Sequence, residues 1–319
     1  MRQELIERRL PWLILTVGVY LVISVTSALG ILNDYHMINI ITIGISIILG
    51  VSLNLINGFT GQFSLGHAGF MAVGAYTGAI LTMKFGFPFP ATLLCGGLAA
   101  AVVGLVIGLP TLRLRGDYLA IATLGFGEIL RVLFINWSYV GGAGGMVVTQ
   151  RYTNFHWVYA MTVLTIIVIR NWLQSAHGRA CVAIREDEIA ASSMGINTTL
   201  YKVAAFILGS FFAGVAGVLY AHAYYIVTPA SFGFLKSVEI LIIVVLGGMG
   251  SISGSVLAAI AITLVSVIFT PWPYLRMILY SLALIIVMVY RPGGLMGVKE
   301  IQLPALSLKK KEGQQVGTP

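Results

Sequence analysis

The chain has 319 residues, of which 58% are hydrophobic and only 9% are charged. Its mean hydropathy of +0.94 excludes a soluble domain, because soluble domains carry about 25% charged residues. A formal net charge of +8 would indicate a nucleic-acid partner in a soluble protein. Here the basic residues are scattered over loop ends, as topology signals are, so the composition predicts a multi-pass membrane protein that binds no nucleic acid.

Ten apolar segments are long enough to span a bilayer, which takes about 20 helical residues. In chain order they are residues 11–31, 37–57, 63–84, 91–111, 118–136, 155–173, 202–223, 236–250, 253–270 and 274–290. The first is too long for a signal-peptide core, so we interpret it as an uncleaved span. The third is rich in glycine and the eighth is short, so each is either a plain span or a broken one.

These segments predict an all-α transmembrane bundle of eight to ten spans in a single domain, residues 1–300, followed by a polar, flexible tail at 301–319. If the first span runs outward, 14 of the 19 basic residues fall on the cytoplasmic side. The exceptions are Lys84, Arg131, Arg151, Lys236 and Arg276. The positive-inside rule then places both termini in the cytoplasm.

The polar segment, residues 174–202, interrupts the apolar pattern with six charged residues: Arg179, Arg185, Glu186, Asp187, Glu188 and Lys202. Each charge would cost roughly 2.5–3.5 kcal/mol at the bilayer centre, so the segment must lie in water. Residues 180–194 contain no Gly or Pro and are followed by Gly195. This pattern predicts one short amphipathic helix that stops at the glycine and offers a surface to another protein.

Polar side chains and glycines alternate between the second and third spans. They are Asn54, Asn57, Gly58, Gly61, Gln62, Ser64, Gly66, His67 and Gly69. Irregular backbone at membrane depth is tolerated only where it is buried in protein or lines a wet cavity. We therefore interpret this stretch, the elbow, as a tightly packed structural joint, as a lining of a pathway, or as both.

Ionisable residues inside spans are costly and often functional. Glu128 and Arg131 lie three residues apart, as do Lys236 and Glu239, so each pair shares a helix face and predicts an internal ion pair. Glu128 and Arg131 are also candidates for lining a polar pathway.

Glycines recur inside the spans and in one external loop. Those inside helices predict close helix packing, and they are Gly74, Gly78, Gly209, Gly214 and Gly217. The external Gly-Gly-Ala-Gly-Gly loop at 141–145 predicts a flexible surface that meets a partner or gates a pathway.

The sequence contains no pattern typical of catalysis, metal binding or nucleotide binding. Its five histidines show no metal-ligand spacing, and Cys95 and Cys181 lack the setting of a disulfide. The stretch closest to a P-loop, GGMGSISGS, has no lysine. We therefore expect neither an enzyme nor a bound cofactor or metal, and an ATP-driven transporter would carry its ATPase on another chain.

Several motifs follow one another within about residues 38–297: NLINGFTGQFSLGHAGFMAVGAY, RLRGDYLAIATLGFGEILR, the GGAGG loop, GRACVAIREDEIAASSMGIN with YKVAAFILGSFFAGVAGVLYAH, and VLGGMGSISG. Together they resemble the branched-chain amino-acid ABC transporter permease family, specifically its LivM type. The resemblance implies a multi-pass permease of the bacterial cytoplasmic (inner) membrane. It also implies a second, LivH-like permease, two cytoplasmic ATPase subunits that bind ATP and Mg, and an extracytoplasmic solute-binding protein.

The resemblance further implies that the polar segment is the ATPase-coupling loop, at about residues 174–201. Its roles carry over to Gly178, Arg179, Arg185, Glu186, Asp187, Glu188, Ala190, Ala191 and Gly195. The general importer pattern EAA-x3-G is matched with one residue inserted after Glu188. Broken-helix N-termini near residues 61–64 or 247–251 are candidates for binding a substrate carboxylate.

Two alternatives remain open from the sequence. Related ABC permeases for urea or another small polar solute share this architecture. A stand-alone secondary carrier or channel would need no docking helix, and loss of transport without an ATPase partner would separate the two classes.

Overall fold

A computed structural model describes residues 2–30, 32–112, 114, 116–291, 293–297 and 300. The described part of the chain divides into a larger unit, Asp34–Glu300, and a smaller unit that contains the N-terminal residues before Asp34. In the smaller unit, helix α1 covers Arg2–Ala28 and overlaps the first predicted span, residues 11–31. Arg113, Arg115, Lys299 and the predicted tail at 301–319 lie outside the described residues.

The described part of the larger unit is almost entirely helical. Its helices are α2 (Asp34–Asn54), α3 (His67–Phe85), α4 (Phe89–Thr111), α5 (Asp117–Asn136), α6 (Phe155–Gln174), α7 (Ala176–Glu186), α8 (Glu188–Ser193), α9 (Thr198–Ala223), α10 (Phe234–Gly247), α11 (Ile252–Ile268) and α12 (Pro273–Tyr290). A two-residue strand β1 (Met146–Val147) pairs antiparallel with β2 (Ile226–Val227). Every predicted apolar segment overlaps a helix, because segment length and hydropathy are local properties of the sequence. The third segment begins before α3, at residues 63–66, and the eighth continues past α10, at residues 248–250.

Among the described residues, six helical stretches are long and apolar enough to cross a bilayer: Asp34–Phe59, Phe89–Thr111, Asp117–Asn136, Phe155–Gln174, Thr198–Ala223 and Pro229–Gly247. Three shorter apolar helical stretches are Thr16–Ala28, Ile252–Ile268 and Tyr274–Val287. The architecture is therefore that of an all-α, multi-pass membrane protein.

Helices α3, α4 and α9 form the tightest part of the bundle, and glycines determine how closely they approach. A Cβ at Gly74 would lie 2.0 Å from the Gly214 carbonyl oxygen, and one at Gly217 would lie 2.0 Å from the Met71 carbonyl oxygen. No side chain fits into such contacts, so the backbones touch directly. The predicted close packing of the glycines inside helices is confirmed.

The glycine loop, residues 141–145, follows the C-terminal end of α5 and folds back on itself, since a Cβ at Gly141 would lie 2.0 Å from the Gly145 carbonyl oxygen. Two short 3-10 turns, Ser138–Val140 and Gly142–Gly144, lead into β1. Gly145 has a φ of +79°, and a Cβ there would lie 2.3 Å from the Val227 carbonyl oxygen. The glycine loop, which is part of the α5–α6 connection, thus packs against the α9–α10 connection. Its role toward a partner stays a prediction.

Candidate functional site

The polar segment folds as two helices, α7 and α8, so the prediction of one helix over 180–194 is wrong. The helical conformation is interrupted at Asp187, whose backbone is extended at φ −156°. Its Oδ1 accepts hydrogen bonds from the backbone of Ile189 at 2.8 Å and Ala190 at 3.0 Å. Aspartate is unfavourable inside a helix because its carboxylate bonds to nearby backbone N–H groups, and it is favourable at a helix N-cap. Here Asp187 ends α7 and caps the start of α8. The predicted stop at Gly195 holds, with φ +83°.

The turn from α6 into α7 is set by Ser175 and Gly178. Ser175 Oγ accepts from the Gly178 backbone at 3.5 Å. A Cβ at Gly178 would lie 2.3 Å from the Leu173 backbone, so only glycine fits. Arg179 Nη1 donates to the Gln174 carbonyl at 3.1 Å across the same turn. These contacts hold α7 at a defined angle to the end of α6.

The outer side of the polar segment, here called the α8 surface, consists of Glu186, Ile189, Ala190 and Met194. The exposed fractions are 66% for Ile189 and 83% for Met194, and 68% for the Glu186 side chain. Ala191 is buried beneath them. Apolar side chains that protrude from a polar segment and are rimmed by charge are typical of protein-binding surfaces.

The inner side of the polar segment contacts the elbow through Arg185. Its Nη1 donates to the Gly58 carbonyl at 3.1 Å, and its Nε donates to Glu186 Oε1 at 3.1 Å. Gly61, at φ +71°, packs so closely that a Cβ would lie 3.3 Å from Arg185 Cα. Arg185 therefore faces its own chain, whereas Glu186 faces solvent.

Glu188 is also engaged inside the chain. Its Oε1 lies 2.6 Å from Lys202 Nζ at the start of α9. The Lys202 backbone carbonyl in turn accepts from Gln62 Nε2 at 3.2 Å. The polar segment and the elbow thus meet at two points, at Arg185 and around Lys202.

The elbow runs from Asn54, the last residue of α2, through a π-helix, Leu55–Phe59, and an irregular stretch to Gly69 in the first turn of α3. Asn57 holds the irregular part in shape. Its Oδ1 accepts from the Ser64 backbone at 3.2 Å, and its Nδ2 donates to the Ser64 carbonyl at 3.3 Å. Both side chains are buried.

Asn54, at the end of α2, connects the elbow to the break between α10 and α11. Its Nδ2 donates to the Ser251 carbonyl at 2.8 Å and lies 2.7 Å from Ser255 Oγ. Its Oδ1 accepts from the Gly250 backbone at 2.9 Å. A Cβ at Gly58 would lie 2.4 Å from Gly250 N, so the π-helix and the break are in direct backbone contact.

The far end of the elbow packs against α5. A Cβ at Gly66 would lie 2.4 Å from the Thr123 carbonyl oxygen, and the Leu65 backbone donates to Thr123 Oγ1 at 3.0 Å. Buried His67 lies with Nε2 2.9 Å from Ser52 Oγ. These contacts show that the elbow is a tightly packed structural joint. Whether it also lines a pathway stays a prediction.

Glu128 and Arg131 form the ion pair that their spacing predicts, with Arg131 Nε 2.6 Å from Glu128 Oε2. Glu128 Oε1 also accepts from the Phe234 backbone at 3.1 Å, at the N-terminus of α10. The second predicted pair has Lys236 Nζ 3.1 Å from Glu239 Oε2. The spacing of three residues predicted both ion pairs. The contact of Glu128 with the N-terminus of α10 depends on the tertiary fold.

The break before α11 already binds a carboxylate of its own chain. Glu300 Oε1 accepts from the Ile252 backbone at 2.6 Å, and Oε2 accepts from the Ser253 backbone at 3.2 Å. This occupies the helix N-terminus that the sequence suggested for a substrate carboxylate near residues 247–251. Sequence reasoning missed Glu300, because an isolated acid just before a polar tail carries no periodic signal.

Comparison with known proteins shows the family of this chain. Residues 35–288 match the family described as "Branched-chain amino acid transport system / permease component". The high-affinity branched-chain amino acid transport system permease protein LivM of Salmonella typhimurium (strain LT2) is 37% identical over 308 residues, covering 86% of this chain and 71% of that protein. LivM of Escherichia coli (strain K12) is 38% identical over 294 residues, covering 81% of this chain and 69% of that protein.

A second type of relative matches a shorter region. The permease protein LivH of Escherichia coli (strain K12), from the same kind of transport system, is 30% identical over 149 residues, covering 46% of this chain and 48% of that protein. The family match spans most of the chain, and the LivM relatives match with comparable coverage on both sides. This chain therefore belongs to the family of permease components of branched-chain amino acid transport systems.

Proposed function

We propose that the chain is the permease subunit of a binding-protein-dependent ABC importer that carries branched-chain amino acids across the bacterial cytoplasmic membrane. Family membership and the names of the LivM relatives support this substrate class. The permease contributes the pathway, and separate ATPase subunits that bind ATP and Mg drive alternating access.

The observation that carries the proposal is the two-sided polar segment. Its α8 surface exposes Ile189 and Met194 to solvent, while Arg185 donates to the buried Gly58 carbonyl on the inner side. An ATPase docked on the α8 surface therefore holds a segment that is attached directly to the elbow. Closure of the ATPases on ATP would move the elbow relative to the bundle.

The same proposal includes the other subunits of the transporter and the membrane topology of this chain. A LivH-like permease pairs with this chain, and a solute-binding protein delivers substrate from outside. The chain crosses the membrane eight to ten times with both termini in the cytoplasm, as its basic residues indicate. About a third of the Glu128 and Arg131 side chains is exposed (35% and 31%). Because lipid solvates charge poorly, these side chains line the pathway or contact the second permease.

Ile189→Asp and Met194→Asp test the docking surface. Each places a charge where an apolar contact would be buried, and we expect retention of the ATPase subunits to fall about tenfold, the size of a moderate hot spot. The measurement is quantitative co-purification of the ATPases in mild detergent. Val147→Asp is the matched control, since Val147 is 58% exposed but lies in β1, away from the polar segment.

The result that contradicts docking is unchanged ATPase retention in both variants. If the wild-type chain retains neither an ATPase nor a second permease in several mild detergents, a stand-alone carrier or channel is favoured instead. Uptake by the reconstituted complex, with leucine and urea as competing substrates, separates the branched-chain importer from a urea-type permease.

A further inference from the structure

Asn54 belongs to a continuous set of contacts between the polar segment and the α10–α11 break. At one end, Arg185 of α7 donates to the Gly58 carbonyl in the π-helix. At the other end, the backbone of Gly250 donates to Asn54 Oδ1, and Asn54 Nδ2 donates to the Ser251 carbonyl. The polar segment and the break are thus joined through a stretch of five residues, from 54 to 58.

The chemistry of the position requires an amide. Asn54 is fully buried and uses its carbonyl oxygen as an acceptor and its NH2 group as a donor toward three groups, the Gly248 and Ser251 carbonyls and Ser255 Oγ. An aspartate would lack the donors, and an alanine would leave the Gly250 N–H without its acceptor and would remove one donor from the Ser251 carbonyl, which also accepts from Ser255. The side chain therefore links two backbones that otherwise meet only by contact.

The segments on both sides of Asn54 are suited to bending. A π-helix departs from α-helical hydrogen bonding over one turn, and such turns are frequent at functional sites. On the opposite side, Gly248 at φ +115° and Gly250 at φ +97° form an irregular connection between two helices. A shift of α7 can therefore reach α10 and α11 without unfolding a regular helix.

We propose that Asn54 is a positioning residue that transmits movement of the polar segment to the α10–α11 break. The proposal rests on the proposed function of the chain as an ABC permease. Asn54 contacts no substrate in this role. It acts through the backbone of residues 250 and 251, so its loss separates ATP hydrolysis from transport and leaves ATPase docking intact.

The experiment compares wild type, Asn54→Ala and Asn54→Asp in proteoliposomes that hold the complete transporter with its ATPases, second permease and binding protein. The readout is leucine imported per ATP hydrolysed, together with ATPase retention. For both variants we expect this ratio to fall about fivefold, within the range of coupling residues, with retention unchanged. A purely structural role would lower uptake and hydrolysis in proportion and leave the ratio unchanged.

Two further variants keep the test decisive. Ser255→Ala removes one partner of Asn54 and serves if the Asn54 variants fail to assemble, and we expect the ratio to fall about twofold. Thr82→Val is the matched control, because Thr82 is buried and its hydroxyl lies 2.9 Å from His222 Nε2, away from the connection. We expect Thr82→Val to keep the wild-type ratio.

The outcomes separate the two proposals. If the wild-type complex imports no branched-chain amino acid on ATP, the proposed function fails. If wild type imports and Ser255→Ala together with any assembled Asn54 variant keeps the wild-type ratio, the role of Asn54 alone is overturned.

Discussion

Gly217 in α9 shows how one residue determines the distance between two helices. The Met71 carbonyl of α3 occupies the place where a side chain would begin, 2.0 Å from an ideal Cβ. The glycine pattern predicted close packing in general, but the identity of the partner residue followed only from the fold. At Gly125 in α5, by contrast, no atom lies within 4 Å of such a Cβ.

Gly217→Ala should therefore destabilise the isolated chain, since α3 and α9 must separate to admit the methyl group. Overpacking of this kind costs about 1–3 kcal/mol, which we expect as a lower apparent Tm of the purified protein in detergent. Gly125→Ala is the matched control, with the same substitution in open space and an expected Tm equal to or above that of wild type. Equal Tm values for Gly217→Ala and wild type would contradict the packing argument.

At the scale of elements, the break between α7 and α8 determines what the polar segment presents. Residues 180–194 contain no helix breaker, so the sequence predicted one continuous helix. The signal that was present is Asp187, whose carboxylate caps the next turn through Ile189 and Ala190. The break turns α8 so that Ile189 is exposed while Ala191 is buried.

Asp187→Ala should weaken ATPase binding. Losing an N-cap costs about 1 kcal/mol, so α8 frays or merges with α7 and the α8 surface loses its orientation. We expect the Kd for the ATPase subunit to rise about fivefold. Asp187→Asn is the matched control, because asparagine caps helices as well as aspartate does. If both variants bind with the wild-type Kd, the break is irrelevant to docking.

For the whole molecule, the distribution of basic residues predicts which side of the membrane each loop occupies. The polar segment and the β1–β2 loops lie at opposite ends of spans in that prediction. Cys181 is buried, and burial raises the pKa of its thiol, so little reactive thiolate forms near neutral pH. The chain therefore provides a suitable background for cysteine labelling once Cys95 is replaced.

Glu186→Cys and Tyr225→Cys, each in a Cys95→Ala background, test the orientation with a membrane-impermeant maleimide. Both replaced side chains are exposed. We expect Tyr225→Cys to be labelled in cells whose cytoplasmic membrane is intact, and Glu186→Cys to be labelled only after that membrane is permeabilised. The reverse pattern would place the polar segment outside and exclude ATPase docking there.

The sequence by itself determined the membrane class, the position of every long helix and the ion pairs three residues apart. These features depend on hydropathy, segment length and helical periodicity, all of which are local. The order of the motifs was equally sufficient to identify the family.

Only the tertiary structure decided which of the candidate residues meet. Asn54 reaches Gly250 across 196 residues of sequence, and Arg185 reaches Gly58 across 127. Contacts at such separations arise from how the helices pack, which the pattern of any single segment does not encode. For the same physical reason Arg185 and Glu186, adjacent in sequence, have different surroundings, since one contacts the elbow and the other faces solvent.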